Sequence, residues 1–463
     1  MKAPIKPFLS ALLLLAFPAA VHAQFTFTTN NGNITIMSYT GSEPDVVIPD
    51  ATNGYPVTTI GGYAFFSQRG IVTNITIGSN VTNIATRGFY QCSKLKGVTM
   101  NSQISSIGQE AFLNCTSLIS ISIPNSVTNI GRDAFNGCTS LPTISIPNGV
   151  ISPWAFELCA GLTNATIGSG VTSIGSNAFW SCTSLAAITV DSLNLAYSSL
   201  DGVLFDSGQK RLIAYPGGKG GDYTIPSTVT SIAAFAFDYC TNLTGIAIPN
   251  SVTNIGDYAF DACRSLAIVR IPDSARIVGY AAFQGCHSLT NLTISGSVRT
   301  LRSLAFSWCD SLPTVMIPMS VTNMEPQAFS YCKALTSVYF QGNAPTLGSS
   351  GLGSTPFLGV NASAVVYYLP ETLVWATPFG GLPAVLWNPT VQTTDGSFGV
   401  QNNQFGFNIV GTPDIPIAVA ACTNPASPNW TALQTCTLTN GSIYFTDPDW
   451  TNHPTRFYRI RSP

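Results

Sequence analysis

A single spacing dominates this chain. Cys92, Cys115 and Cys138 lie 23 residues apart, Cys159 follows after 21 and Cys182 after 23. A gap of 58 leads to Cys240, and Cys263, Cys286, Cys309 and Cys332 follow at intervals of 23. Self-similarity with a fixed period of about 20–50 residues marks a solenoid, in which each coil buries its apolar face only by stacking on its neighbours. Most of the 463 residues are therefore read as stacked coils with flanking pieces.

Other residues keep the same period. A Phe stands three residues before each of these cysteines, from Phe89 and Phe112 to Phe306 and Phe329, and a Leu stands three after, from Leu95 to Leu335. Phe65 opens the series with Gln68 in the cysteine slot, which makes eleven coils. Ala134, Phe135, Cys138 and Leu141 fall on one face of a short helical turn. Ile144-Ser145-Ile146 alternates with the period of a strand, and Pro147, which has no N–H for the ladder, is expected to end it. Each coil is thus read as one strand and one short helical turn.

The recurring pattern Leu-x-x-Ile-x-Ile-Pro-x-x-Val-x-x-Ile-Gly-x-x-Ala-Phe-x-x-Cys resembles the BspA-type leucine-rich repeat. The resemblance implies an α/β solenoid: a curved, right-handed leucine-rich repeat over residues 58–340, with a parallel β-sheet on its concave side and short helical turns. It also implies a surface protein, since relatives of this kind include bacterial proteins that bind matrix proteins or other cells.

The flanks read differently. Met1 to Ala23 has Lys2 and Lys6, an apolar run from Phe8 to Phe17 and small residues before Gln24, the layout of a secretory signal peptide. The run is shorter than the ~20 residues needed to cross a bilayer. Residues 24–57 lack the Phe and Cys markers and read as a β cap, with strands at Phe25-Thr-Phe and Ile34-Thr-Ile. The long gap holds an insertion at about 191–224. Within it Val203-Leu-Phe and Arg211-Leu-Ile-Ala-Tyr read as a hairpin, and Pro216-Gly-Gly-Lys-Gly-Gly as a flexible return loop. The insertion is either a decoration that interrupts the stack or a flap that touches a ligand. Residues 341–390 read as a closing cap and linker. Residues 391–463 alternate short strands with turns at spacings near ten residues, the pattern of a small β-sandwich. Cys422 and Cys436 stand alone there, and in an exported protein a disulfide between them is expected.

Little in the chain suggests catalysis. Charged residues make up 9%, against about 25% in an average soluble domain. The formal charge of −2 and the lack of a basic run exclude a phosphate-neutralising nucleic-acid surface. The row formed by Cys92, Cys115, Cys138, Cys159, Cys182, Cys240, Cys263, Cys286, Cys309 and Cys332 places one thiol per coil. Metal sites need clustered ligands that close a tetrahedron, and stacked parallel side chains hold Cβ atoms farther apart than a disulfide prefers. A buried thiol ladder is the favoured reading, with inter-coil disulfides as the alternative. His287 and His453 lie in different regions. Asp447 and Asp449 are too few for calcium, which takes six or more oxygens. No catalytic residue, cofactor site or metal site is assigned, and the chain is read as a non-enzyme.

The outward position of each strand is the better candidate. Along the stack it is Thr76, Thr99, Ser122, Ser145, Thr166, Thr189, Ala247, Arg270, Thr293, Met316 and Tyr339. The early members suit any strand. Arg270, Met316 and Tyr339 are types enriched at interfaces, and they are the expected ligand-binding residues. The expectation is a secreted or surface protein that binds an extracellular protein or glycan without catalysis. The alternative is a structural envelope protein without a specific ligand.

Overall fold

The computed structural model describes residues 24–348, 355–426, 429–453 and 455–462. The segment expected to be a signal peptide lies outside them. The chain divides into two compact units. One runs to Ala267 and includes Gly279–His287; the other comprises Ile268–Val278 and continues from Ser288.

In the first unit each regular coil contributes two short strands, one more than expected. Asn74–Thr76, Gly97–Thr99 and Ser120–Ile121 pair in parallel in one sheet. Asn83–Ile84, Ser106–Ile107 and Asn129–Ile130 pair in parallel in a second. The second strand comes from the Val-x-x-Ile half of the repeat, whose apolar residues at Val81 and Ile84 are fully buried. Pro147 does not end its strand as expected. Thr143–Ile151 runs through it, with the register shifting between Ile146 and Asn148. The next coil does the same: Asn164–Ile174 pairs with it in parallel along its whole length.

The helical turn is not formed, and the fold is a β-solenoid of stacked parallel coils rather than an α/β one. Among the described residues the helical elements are three-residue 3₁₀ turns. The segment around each Phe carries two residues in the left-handed region: Arg87 and Gln91 around Phe89, Glu110 and Asn114 around Phe112, Trp154 and Leu158 around Phe156. Each costs roughly 1–2 kcal/mol relative to ordinary backbone. The return is a complete set of hydrogen bonds. Alternate N–H groups bond locally, as Gly88 to Ala85, Tyr90 to Arg87 and Cys92 to Phe89, at 3.1–3.2 Å. Those between them, from Arg87, Phe89 and Gln91, reach Gln109, Ala111 and Leu113 of the next coil at 2.7–2.9 Å. An α-helix would spend every N–H within its own coil and leave nothing to join neighbours.

The phenylalanines stack inside this turn. Ring centroids are 5.0 Å apart for Phe89–Phe112, 5.1 Å for Phe112–Phe135 and 5.2 Å for Phe135–Phe156, with interplanar angles of 12°, 5° and 2°. Tyr39 opens the column beside Phe65, and its strand Asn33–Tyr39 forms an antiparallel hairpin with Phe25–Asn30.

The insertion rebuilds part of a coil. Tyr197–Leu200, Val203–Asp206 and Arg211–Ala214 form an antiparallel meander, and Arg211–Ala214 then pairs in parallel with Ser231–Ile232. Tyr215 takes the Phe slot: its ring stacks on Phe237 at 4.9 Å, and its N–H bonds the Ala236 carbonyl at 2.7 Å. The expected flexible loop is instead packed down. A Cβ on Gly218 would lie 2.5 Å from the Ser184 carbonyl carbon, and the Gly218 N–H bonds the Leu185 carbonyl at 2.9 Å.

In the second unit Ile268–Arg270, Asn291–Thr293, Thr314–Ile317, Ser337–Phe340, Val365–Tyr368 and Ala384–Leu386 follow one another in a parallel sheet. The C-terminal region holds two antiparallel sheets. One combines Thr390–Val391, Gly399–Gln401, Gln404–Val410 and Ser442–Asp447; the other combines Thr431–Thr437, Pro416–Cys422 and Phe457–Arg461. They share an apolar core of Phe407, Ile409, Ile417, Val419 and Phe445. The expected disulfide in this region is absent. Cys436 faces Ile417 in register, whereas Cys422 lies at the far end of the same strand opposite Phe457. Five residues of strand are about 17 Å, beyond the reach of an S–S bond. Among the described residues no helix is long and apolar enough to cross a membrane.

Candidate functional site

The outward strand positions form continuous columns. In the first unit Thr76 faces Thr99, and Ser145 faces Thr166 and then Thr189, all exposed. Each follows a buried residue, and Thr76 lies between buried Ile75 and Ile77. In the second unit Arg270, Thr293, Met316 and Tyr339 are in register. Arg270 and Thr293 are exposed, and Met316 is 41% exposed with its Sδ 2.8 Å from Gln341 Nε2.

Tyr339 does not belong to the exposed surface. It is only 6% exposed. Tyr367, its register partner on the next strand, stacks on it at 5.0 Å, and the Trp387 ring meets it edge-on at 6.3 Å. The sheet continues past Tyr339, so the last repeat strand is covered rather than terminal. Two residues not anticipated share the exposed area: Ile268, 53% exposed at the start of the Arg270 strand, and Met319, 73% exposed just beyond the Met316 strand. Their signal was an apolar residue at a position where other coils carry Asn, Thr or Ser.

The ten repeat cysteines are buried. Their thiols reach the Phe carbonyl of the preceding coil: Cys115 to Phe89 at 3.2 Å, Cys138 to Phe112 at 3.3 Å, Cys182 to Phe156 at 3.1 Å, Cys332 to Phe306 at 3.1 Å. Burial pushes the Cys92 and Cys159 thiols up to about 12. At neutral pH they carry almost no thiolate, the species that attacks disulfides and binds metals. Cys286, next to His287, donates to the Phe260 carbonyl at 3.4 Å. Among the described residues no three His, Cys, Asp or Glu side chains come together to hold a metal ion. Asp447 is buried beside Arg456 Nη1 at 2.7 Å and accepts from the Tyr458 hydroxyl at 2.8 Å; Asp449 instead bonds Asn452 and His453.

A cavity of about 370 Å³ opens where the repeat is interrupted. One side is the last coil before the insertion, with Asn177, Phe179 and Trp180; the other is Tyr215 and the following coil, with Phe235 and Asp238. The insertion supplies Tyr197, Asp206, Arg211 and Ile213. Phe179 stacks on Phe156 at 5.5 Å but is only partly buried, unlike the preceding phenylalanines of the column. Two lining residues keep a buried polar atom without a hydrogen-bond partner, Asn177 Oδ1 and Tyr215 Oη, while the Trp180 indole N–H faces the Asp238 carboxyl. Burial, reinforced by the nearby Asp261 carboxylate, raises the Asp238 carboxyl to about 8, while the Trp180 N–H and the Tyr239 amide oppose the rise.

The comparisons with known proteins follow the repeat. The BspA type leucine rich repeat region matches in six copies, within residues 58–186, 221–336 and 253–371. A leucine rich cell surface protein of Faecalibacterium prausnitzii is 32% identical, with a TM-score of 0.55 over 69% of this chain and 94% of that one. A leucine-rich repeat protein of Eubacterium ventriosum is 25% identical, with a TM-score of 0.55 over 72% of this chain and 91% of that one. The pneumococcal vaccine antigen PcpA shares the fold, with a TM-score of 0.57 at 23% identity over 74% of this chain and 85% of that one. No curated protein matches the chain. The repeat pattern, the stacked coils and these matches agree: the chain belongs to the BspA type leucine-rich repeat family.

Proposed function

We propose that this is an exported, surface-located repeat protein that binds a protein partner without catalysis, through the outward sheet face of its second unit. The observation that carries the reading is the exposed set of Ile268, Arg270, Met316 and Met319 on and beside two strands of that sheet, with exposed Thr293 on the strand between them. Arg and Met are enriched at interfaces, and an exposed apolar group around a cation is the composition of a binding patch rather than of an inert sheet. Surface location is supported by the 32% identical cell surface protein and by the layout of residues 1–23.

The test is a binding screen of residues 24–463 against matrix proteins, with the double variant Arg270→Ala/Met316→Ala alongside. Loss of about tenfold or more in affinity is expected, since two interface anchors cost more than about 1.4 kcal/mol together. Binding that survives both substitutions overturns this assignment. Absence of any protein ligand favours the structural envelope reading. Tyr339 is left intact, because truncating a buried ring tests stability and not recognition.

A further inference from the structure

We infer that the cavity at the interrupted coil is a carbohydrate site that takes a terminal sugar or short glycan. The inference goes beyond the protein-binding face proposed above and uses none of its residues.

In the coils from Phe89 to Phe156 each Phe ring has a stacked ring on both sides. At the insertion the column stops: among the described residues Phe179 has a stacked ring only on its Phe156 face. Its other face belongs to the cavity, together with the Phe235 and Tyr197 side chains. At about 370 Å³ the space lies at the lower end of ligand pockets, roughly 300–1,000 Å³. Its mixed character is that of a ligand site, with apolar rings beside a few polar groups that fix orientation.

The polar groups narrow the chemistry. Asn177 Oδ1 lacks a donor and the Tyr215 hydroxyl lacks a partner, while the Trp180 N–H faces the Asp238 carboxyl beside them. Leaving buried groups unmatched is costly, so two on one cavity mark capacity the protein itself does not use. An ammonium group would serve Asn177 Oδ1 and oppose the indole N–H. An aromatic peptide side chain would cover Phe179 but bring one polar atom at most. A pyranose matches both halves of the requirement. Its C–H face lies on an aromatic ring, and its hydroxyls donate and accept in turn. Arg211, which is exposed, and Asp206, whose carboxylate accepts from the Lys210 and Arg211 amides at 2.7 and 2.9 Å, add charged groups to the lining.

The test uses residues 24–463 and a panel of free sugars: neutral hexoses, N-acetylhexosamines, uronic acids and their disaccharides. Saturation-transfer NMR reads binding, and calorimetry reads affinity. Two variants remove hydrogen-bonding groups, Trp180→Phe and Tyr215→Phe; circular dichroism melts check that both fold. At least one sugar class is expected to bind saturably and to weaken about tenfold in each variant, the cost of one lost hydrogen bond to a buried site. No binding by any sugar, or binding unchanged in both variants, overturns the inference. Binding of peptides but not sugars, lost in Trp180→Phe, overturns it in favour of a peptide site. Because Arg270→Ala/Met316→Ala leaves this cavity untouched, failure here and failure of the protein-binding reading are separate results.

Discussion

Two stretches of the first unit, the coils from Phe89 to Phe156 and the junction from Phe179 to Tyr215, are built from the same residue types to opposite effect. In the regular coils the rings stack nearly parallel, every turn N–H named above is bonded, and each thiol finds a carbonyl. At the junction the column loses a member, Phe179 is half-covered, and Asn177 Oδ1 and Tyr215 Oη go unmatched. Repetition consumes chemistry: where the period holds, each side chain is spent on the coil before it. Where the period breaks, unmatched groups gather around one cavity.

The largest test of this contrast is a pair of truncations. Phe135→Ala removes a fully buried ring between two stacked neighbours, and a loss of about 3–5 kcal/mol is expected in urea unfolding. Phe179→Ala is expected to cost about half as much, because one face already borders a cavity. Equal losses would mean the junction is as tightly packed as the regular coils. Next in size is Gly218→Ala, which drives a Cβ against the Ser184 backbone and is expected to cost about 1–3 kcal/mol. An unchanged melting temperature would show that the return loop is free, as its sequence suggested.

A smaller effect separates the junction by pH. The Asp238 carboxyl is raised in the folded state to about 8, from an unfolded value near 4. The folded state therefore holds the proton more tightly, and its stabilising contribution is full below about pH 4 and lost as pH rises through 8. Stability is expected to fall between about pH 4 and 8, and Asp238→Asn to flatten that fall by on the order of 1 kcal/mol. A parallel pH profile in the variant would remove Asp238 as the cause. The thiols give a test without energetics. In the native protein at pH 8, iodoacetamide is expected to modify Cys436, which is only half-buried, and to spare the ten repeat cysteines. Rapid labelling of Cys92 or Cys159 would show that the column opens readily. The smallest expected change is in Arg270→Ala/Met316→Ala, within about 0.5 kcal/mol of the parent.

The stacking period was legible because Phe, Cys and Leu recur at fixed places and each is buried for its own coil's sake. The turn geometry was not. Arg87, Glu110, Trp154 and Leu158 sit in left-handed backbone for which their side chains carry no preference, and only the ladder to the next coil holds them there. Alternation showed Tyr339 facing outward, but its cover comes from Tyr367 and Trp387, outside the repeat. Tyr215 was within reach: it stands 22 residues before Phe237, close to one period, with an aromatic ring in the Phe slot. The cavity beside it was not, because a void is a property of two coils and neither states it alone.

The hydrogen bonds between coils have a consequence for how the chain acquires its shape. The Cys115–Phe89 and Cys138–Phe112 bonds each close 26 residues, and the Phe89–Ala111 bond closes 22. Such separations are about a twentieth of the chain, in the range of the fastest-folding topologies although the protein is built of strands. A nucleus can form at any coil and grow by adding neighbours, each addition closing a loop of the same modest length and entropy. The junction at Phe179 is the one place in the first unit where that growth meets a 58-residue step between successive cysteines, and it is there that the zipper is expected to pause.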